Sequence, residues 1–121
     1  MVDLVQYARQ SNIRLTTTGR KSGRKHTVTV WFVVAAADRI QVQHVQGDTA
    51  HWYKNLVKQP DVEVDFGQGP LSGRATPITD RAQIREVLRR VRRKYLMAWI
   101  VQLFGIGRQA VAAEIVLSPQ T

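Results

Sequence analysis

The strongest constraint on the fold is a run of nine strand-forming residues at positions 26–34, almost all of them β-branched or aromatic. The preceding residues 13–18 also favour a strand, and residues 40–45 form a third candidate after a turn at positions 37–39. Strands joined by such short turns pair antiparallel. The sequence therefore predicts a β-meander, preceded by a short helix over residues 2–10.

The second half of the chain adds helices and three further strands. A short helix is predicted at residues 50–58, capped by Asp48 or Thr49, and residues 62–66 and 71–78 form a hairpin across a glycine-rich turn. A long helix begins at Thr79 or Asp80, and a closing strand covers residues 113–118. The apolar positions of the long helix recur at helical spacing: Ile84, Val87, Leu88, Val91 and Tyr95. We expect an α+β, mainly β fold, a six-stranded antiparallel barrel with helices outside.

Composition limits the classes of function. The 121 residues are expected to form a single domain, since a chain of this length buries a core unaided. The absence of cysteine excludes disulfides, cysteine-based metal sites and a thiol nucleophile, and it fits the cytoplasm. A net charge of +9 favours an anionic partner, which is a nucleic acid, an acidic lipid or a cofactor with phosphates and carboxylates.

The turn between the first two predicted strands concentrates the groups that bind anions. Glycine lets backbone N–H groups converge, a serine hydroxyl adds a donor, arginine grips phosphate in bidentate fashion and lysine supplies a point charge. The turn contains four cations, two glycines and a serine: Arg20, Lys21, Arg24, Lys25, Gly19, Gly23 and Ser22. We predict an anion site here, and a solvated turn that protects a sheet edge is the alternative.

Other catalytic patterns are weak. Ser72 lies within a predicted strand and lacks the G-x-S-x-G turn of a hydrolase nucleophile. His26, His44 and His51 are far apart in the chain and have no helical i, i+4 spacing. We therefore expect neither serine hydrolysis nor a metal site.

Two motifs carry a family resemblance. The first is L-T-T-T-G-R-K-S-G at residues 15–23; the second comprises Trp52, Tyr53, Lys54, Asn55 and Leu56, followed by Pro60, Val62 and Val64. Together they resemble the deazaflavin-dependent nitroreductase family of split β-barrel proteins, within the wider flavin-reductase and pyridoxamine-oxidase-like fold. The resemblance implies an FMN-binding-type split barrel that binds coenzyme F420 and passes hydride to a quinone, a nitro compound or an activated alkene.

The resemblance also implies roles for residues. Arg20 and Lys21 would hold the phosphate and oligoglutamate tail of the coenzyme, and Gly19, Ser22 and Gly23 would shape the turn. Two aromatic residues would lie near the coenzyme, with Trp31 after the hairpin and Trp52 beside the deazaflavin ring.

Two positions depart from the family pattern. His44 begins a His-Val-Gln-Gly stretch where many relatives have a Ser-Lys-Gly-Gly-like loop, so a coenzyme-contacting lysine is missing. His26 and Thr29 replace a basic residue and a proline after the hairpin. His26 and His44 are retained as candidate cofactor-binding residues, and FMN is the alternative cofactor.

Aromatic residues supply candidates for the chemistry around the acceptor. Tyr53 or Tyr95 would donate a proton or hydrogen bond to the reduced substrate. Trp99, Phe104 and Ile106 would line an apolar acceptor pocket. For Trp52, Tyr53 and Trp99, ordinary core packing is the alternative.

Two non-enzymatic interpretations remain as alternatives. Seven of the eighteen cations lie at positions 81–94, which suits nucleic acid, but no RNA-recognition signature or helix-turn-helix accompanies them and we do not expect that partner. The apolar residues 96–106 follow this basic cluster, so peripheral contact with a membrane surface is a second alternative. As in similar split barrels, a homodimer is expected.

Overall fold

The computed structural model describes residues 3–44, 50–95 and 111–118. Within these ranges the chain opens with a 3₁₀ turn at Leu4–Tyr7, and helices α1 and α2 span His51–Lys58 and Arg81–Lys94. Seven strands complete the fold: β1 (Ile13–Thr18), β2 (Lys25–Val30), β3 (Val33–Ala36), β4 (Arg39–His44), β5 (Asp61–Asp65), β6 (Pro70–Ile78) and β7 (Val111–Leu117).

All seven strands form one antiparallel sheet in the order β2-β1-β5-β6-β7-β4-β3. The edge strands β2 and β3 are consecutive in the chain, with only Trp31 and Phe32 between them. In a flat sheet of seven strands the edges would lie about 29 Å apart. The link from Val30 to Val33 reaches at most about 11 Å. The sheet therefore curls until its two edges approach, which confirms the predicted mainly β, split-barrel fold.

Two predicted elements differ from the structure. The strand predicted at residues 26–34 is two strands, so the sheet has seven strands among the described residues, not six. The break falls at Trp31 and Phe32, where the chain passes from one edge of the sheet to the other. Phe32 is completely buried in the core, and Trp31 is 38% exposed. The helix predicted at residues 2–10 is only the 3₁₀ turn Leu4–Tyr7, which starts where the Asp3 side chain accepts a hydrogen bond from the Val5 N–H.

The core fills the concave face of the sheet, where alternate strand residues meet. It includes Leu15 of β1, Val42 of β4, Val64 of β5 and Ile115 of β7, with Leu56 of α1 among them. The opposite face carries a smaller cluster in which Ile84, Val87 and Val91 of α2 pack on Val33 and Ala112. This confirms the apolar stripe predicted for the long helix, whose N-terminus is capped by Asp80.

The C-terminal end of α2 holds the link between the two edge strands. The Tyr95 hydroxyl donates to the Ser11 carbonyl at 2.6 Å and accepts from the Phe32 N–H at 3.2 Å. Lys94 donates to the Phe32 carbonyl at 2.8 Å, and its ammonium lies 3.7 Å from the centre of the Phe32 ring. Burial lowers the pKa of Lys94 to about 8 and raises the pKa of Tyr95, so the tyrosine hydroxyl is protonated at neutral pH.

Some predicted features lie outside the described residues. They are the caps Asp48 and Thr49, and the apolar segment at positions 96–106 with its candidate pocket residues Trp99, Phe104 and Ile106. In the described ranges, neither helix has the length and apolar character needed to span a bilayer.

Tyr95→Phe is expected to lower the free energy of unfolding by about 1–3 kcal/mol. The reason is that the Phe32 N–H and the Ser11 carbonyl both lose the Tyr95 hydroxyl as their hydrogen-bond partner. Tyr7→Phe is the matched control, since the Tyr7 hydroxyl makes an exposed bond to Gln68. Urea unfolding of both variants measures the difference. Equal losses would show that the Tyr95 hydroxyl does not secure the link.

Candidate functional site

The β1–β2 hairpin ends in a compact turn. The Gly19 N–H donates to the Arg24 carbonyl at 2.7 Å, and the Gly23 N–H donates to the Gly19 carbonyl at 2.9 Å. Gly23 has φ +71°, a conformation that side chains with a Cβ rarely adopt. The Ser22 hydroxyl accepts from the Arg24 N–H at 3.2 Å. These hydrogen bonds close a compact loop on which Lys21, Arg24 and Lys25 are exposed, whereas Arg20 is half-buried.

Helix α1 packs beside this turn and holds its first arginine. On the buried side of α1, Asn55 follows Trp52 by three residues and precedes Leu56. The Asn55 side-chain oxygen accepts from the Arg20 guanidinium at 2.7 Å and from the Arg20 backbone N–H at 3.2 Å. One turn earlier on α1, His51 Nδ1 lies 3.5 Å from the same guanidinium. The Arg20 side chain is therefore fixed against α1.

A cavity of about 670 Å³ opens between the hairpin and α1. Its volume lies in the range of pockets that hold small molecules and cofactors. The described residues that line it come from β1, the turn, β2 and α1: Thr17, Gly19, Arg20, Lys21, Ser22, Lys25, His26, Thr27, Val28, His51, Trp52 and Asn55.

The lining suits an anionic ligand with an aromatic part. Arg20, Lys21 and Lys25 contribute positive charge, and the described lining residues include no carboxylate. Lys25 forms an ion pair with Glu63 at 2.6 Å, whereas the Arg20 guanidinium contacts the neutral amide of Asn55 and the imidazole of His51. Trp52 adds a flat apolar wall. Phosphate and carboxylate groups find charge-assisted donors here.

The structure brings together six of the nine predicted cofactor-binding residues. They line the cavity described above: Gly19, Arg20, Lys21, Ser22, His26 and Trp52. Gly23 belongs to the same turn without lining the cavity.

The other predicted site residues lie elsewhere. Trp31 stacks on Tyr95 with ring centres 4.3 Å apart, at the link between the edge strands. His44 and Tyr53 make edge contacts with Trp52 at 6.4 Å and 6.0 Å. None of these four residues is among the described lining residues. Any contact of Trp31 or His44 with the cofactor, and any role in the reaction for Tyr53 or Tyr95, stays a prediction.

Sequence reasoning missed His51 and Asn55 as site residues. The available signal was a polar residue on the apolar side of an amphipathic helix, because Trp52, Asn55 and Leu56 share one face. A buried amide needs hydrogen-bond partners. Asn55 finds them in Arg20 and in Thr17, whose hydroxyl accepts from the Asn55 side-chain nitrogen at 3.3 Å.

Comparison with protein families matches residues 4–109 to the F420H(2)-dependent quinone reductase family. The chain belongs to this family. Membership supports coenzyme F420 as the cofactor and a deazaflavin-dependent oxidoreductase as the class of protein, in agreement with the resemblance in the hairpin and α1 motifs. The search of curated proteins gave no match.

Solved structures confirm the fold at low sequence identity. A conserved hypothetical protein from Mycobacterium tuberculosis is 16% identical with a TM-score of 0.70, over 96% of this chain and 79% of that one. A candidate pyridoxamine 5′-phosphate oxidase from Listeria innocua is 13% identical with a TM-score of 0.68, over 96% and 90%. A protein described as an F420 reductase is 15% identical with a TM-score of 0.60, over 97% and 94%.

Gly19→Ala is expected to weaken binding of coenzyme F420 by about tenfold, the effect of losing one charged hydrogen bond. A Cβ at Gly19 would lie 2.8 Å from the Ser22 hydroxyl oxygen and 3.0 Å from His26 Nε2, so these two lining side chains must move. Fluorescence titration of the cofactor measures the change.

Gly23→Ala is the matched control in the same turn. A Cβ at Gly23 meets no atom within 4 Å, so the variant carries only the strain of its positive φ. That strain costs about 1–2 kcal/mol of stability and leaves the binding constant within about twofold. Equal weakening in both variants would attribute the effect to general loosening of the turn.

Proposed function

We propose that this protein transfers hydride from reduced coenzyme F420 to a quinone, with the cofactor bound between the β1–β2 hairpin and α1. The observation that supports this placement most directly is the cavity, whose described lining is basic and contains no carboxylate. Membership of the quinone reductase family supports the reaction.

In this proposal the anionic tail of the cofactor lies over the hairpin turn. Arg20 and Lys21 bind its phosphate and carboxylates, and the Ser22 hydroxyl adds a hydrogen bond. Trp52 is only 9% exposed. It lies beside the deazaflavin ring of the cofactor and keeps water from one side of that ring. The cationic and aromatic residues of the lining match the two chemical halves of such a cofactor.

The protein contributes binding and orientation rather than acid–base chemistry. When bound, the reduced deazaflavin supplies a hydride. The residues around it would orient the ring and exclude water. The positive charge of the site would stabilise the negative charge that the acceptor gains. Tyr95 serves as an anchor of the barrel link in this proposal, because its hydroxyl donates to the Ser11 carbonyl.

The homodimer is part of the same proposal. β2 is an edge strand with exposed residues, and Val28 on β2 and Trp31 after it are 36% and 38% exposed. A second copy would cover these apolar side chains and the free strand edge. Light scattering after size exclusion is expected to give twice the mass of the chain, and a monomer would contradict this part of the proposal. The cytoplasmic location stays a prediction from composition.

Arg20→Ala and Lys21→Ala are expected to raise the dissociation constant of coenzyme F420 by about 10- to 100-fold each, because each removes a charge-assisted contact worth about 1.5–3 kcal/mol. Arg24→Ala is the matched control, since Arg24 lies in the same turn but is not among the described lining residues. Fluorescence titration with the coenzyme and with FMN measures binding, and loss of the reduced deazaflavin absorbance with a quinone measures turnover.

Equal effects in the three variants would mean that the turn acts only through its net charge. Unchanged affinity in Arg20→Ala and Lys21→Ala would remove the hairpin from the site. Binding of FMN in preference to the deazaflavin would replace the proposed cofactor, and binding of neither would reject the enzyme function.

A further inference from the structure

The contacts of Asn55 set it apart from the other residues of the cavity. Asn55 is 4% exposed, and three hydrogen bonds of its side chain join α1 to the hairpin. Two of them go to one residue, since the carboxamide oxygen accepts from both the guanidinium and the backbone N–H of Arg20. Asn55 therefore fixes both the backbone at the start of the turn and the guanidinium of Arg20.

The chemical type of the side chain at position 55 determines whether the positive charge of Arg20 is neutralised. An aspartate here would also accept from Arg20, but it would form a partly buried ion pair and neutralise the guanidinium. The neutral amide orients the guanidinium and leaves its full positive charge in the cavity. The nitrogen of the amide also donates to Thr17, which anchors it to β1 and fixes which way the oxygen faces.

We propose that Asn55 is a positioning residue that presents Arg20, with its charge uncancelled, to the anionic tail of the cofactor. The inference rests on the proposed function, because it assumes that the tail lies at Arg20. It also makes α1 responsible for selectivity. The site would bind a deazaflavin that carries the phosphate and glutamate tail more tightly than the same ring system without that tail. His51 supports this arrangement from the preceding turn of α1 by its 3.5 Å approach to the guanidinium.

The first test is a double-mutant cycle on cofactor binding. Dissociation constants of coenzyme F420 are measured for the wild-type protein, Arg20→Ala, Asn55→Ala and the double variant. If Asn55 acts through Arg20, Asn55→Ala weakens binding about tenfold in the wild-type background and less than about twofold in the Arg20→Ala background. A direct contact with the cofactor, or a general loss of structure, weakens binding equally in both backgrounds and overturns the proposal.

The second test uses Asn55→Asp, which is nearly isosteric and stays informative if the alanine variant fails to fold. The variant is expected to bind coenzyme F420 at least about tenfold more weakly, since the new carboxylate cancels the charge of Arg20. Binding of the deazaflavin that lacks the tail is expected to change less than about twofold. Lys58→Gln is the control, because it makes the same change in net charge at an exposed position of α1.

The outcomes separate this inference from the proposed function. If the wild-type protein binds the coenzyme and Arg20→Ala weakens binding, but Asn55→Asp does not, the inference is wrong and the proposed function stands. If Lys58→Gln weakens binding as much as Asn55→Asp, the charge acts at long range and the positioning role is also wrong. Failure of the wild-type protein to bind the tail-bearing coenzyme overturns both.

Discussion

The two-residue link between β2 and β3 determines the shape of the molecule. These strands are the opposite edges of a seven-stranded sheet, and Trp31 and Phe32 reach far less than the width that a flat sheet of this size would have. Curling brings the two edges near each other and closes the concave face over the core. The end of α2 secures the link through Tyr95 and Lys94, whose side chains bond the backbone of Phe32. Packing of α2 on the outer face and closure of the barrel are consequently coupled.

Eleven of the eighteen cations form two groups with different environments, four in the hairpin turn and seven on α2. The hairpin cations stand next to a cavity, where Asn55 fixes Arg20 without neutralising it. On α2 the pattern is that of a solvated helix face: Glu86 pairs with both Arg89 and Arg90, and these arginines lower the pKa of its carboxyl. Such exposed pairs contribute little to stability. The hairpin cations therefore belong to the candidate cofactor site and the α2 cations to a polar surface, and only the first group supports the proposed reaction.

Much of the candidate site was predictable because it is local in the chain. The turn at Gly19–Gly23 brings its cations together through sequence neighbours, and the cap and apolar stripe of α2 follow from spacing along one helix. The partnership of Arg20 with Asn55 was not predictable, since thirty-five positions separate them and only the packing of α1 on β1 joins them. For the same reason the stacking of Trp31 on Tyr95 across the barrel link was not predictable.

The sequence by itself determined most of the elements and their order, the basic turn and the family to which the chain belongs. Those properties depend on residue type and short-range spacing, which periodicity and motifs record directly. Only the tertiary structure decided that residues 26–34 divide at Trp31 and Phe32, and that a buried asparagine holds the arginine of the turn. Both depend on segments that are distant in the chain. The strand break follows from closure of the sheet, and the Asn55–Arg20 contact follows from packing of α1 on β1.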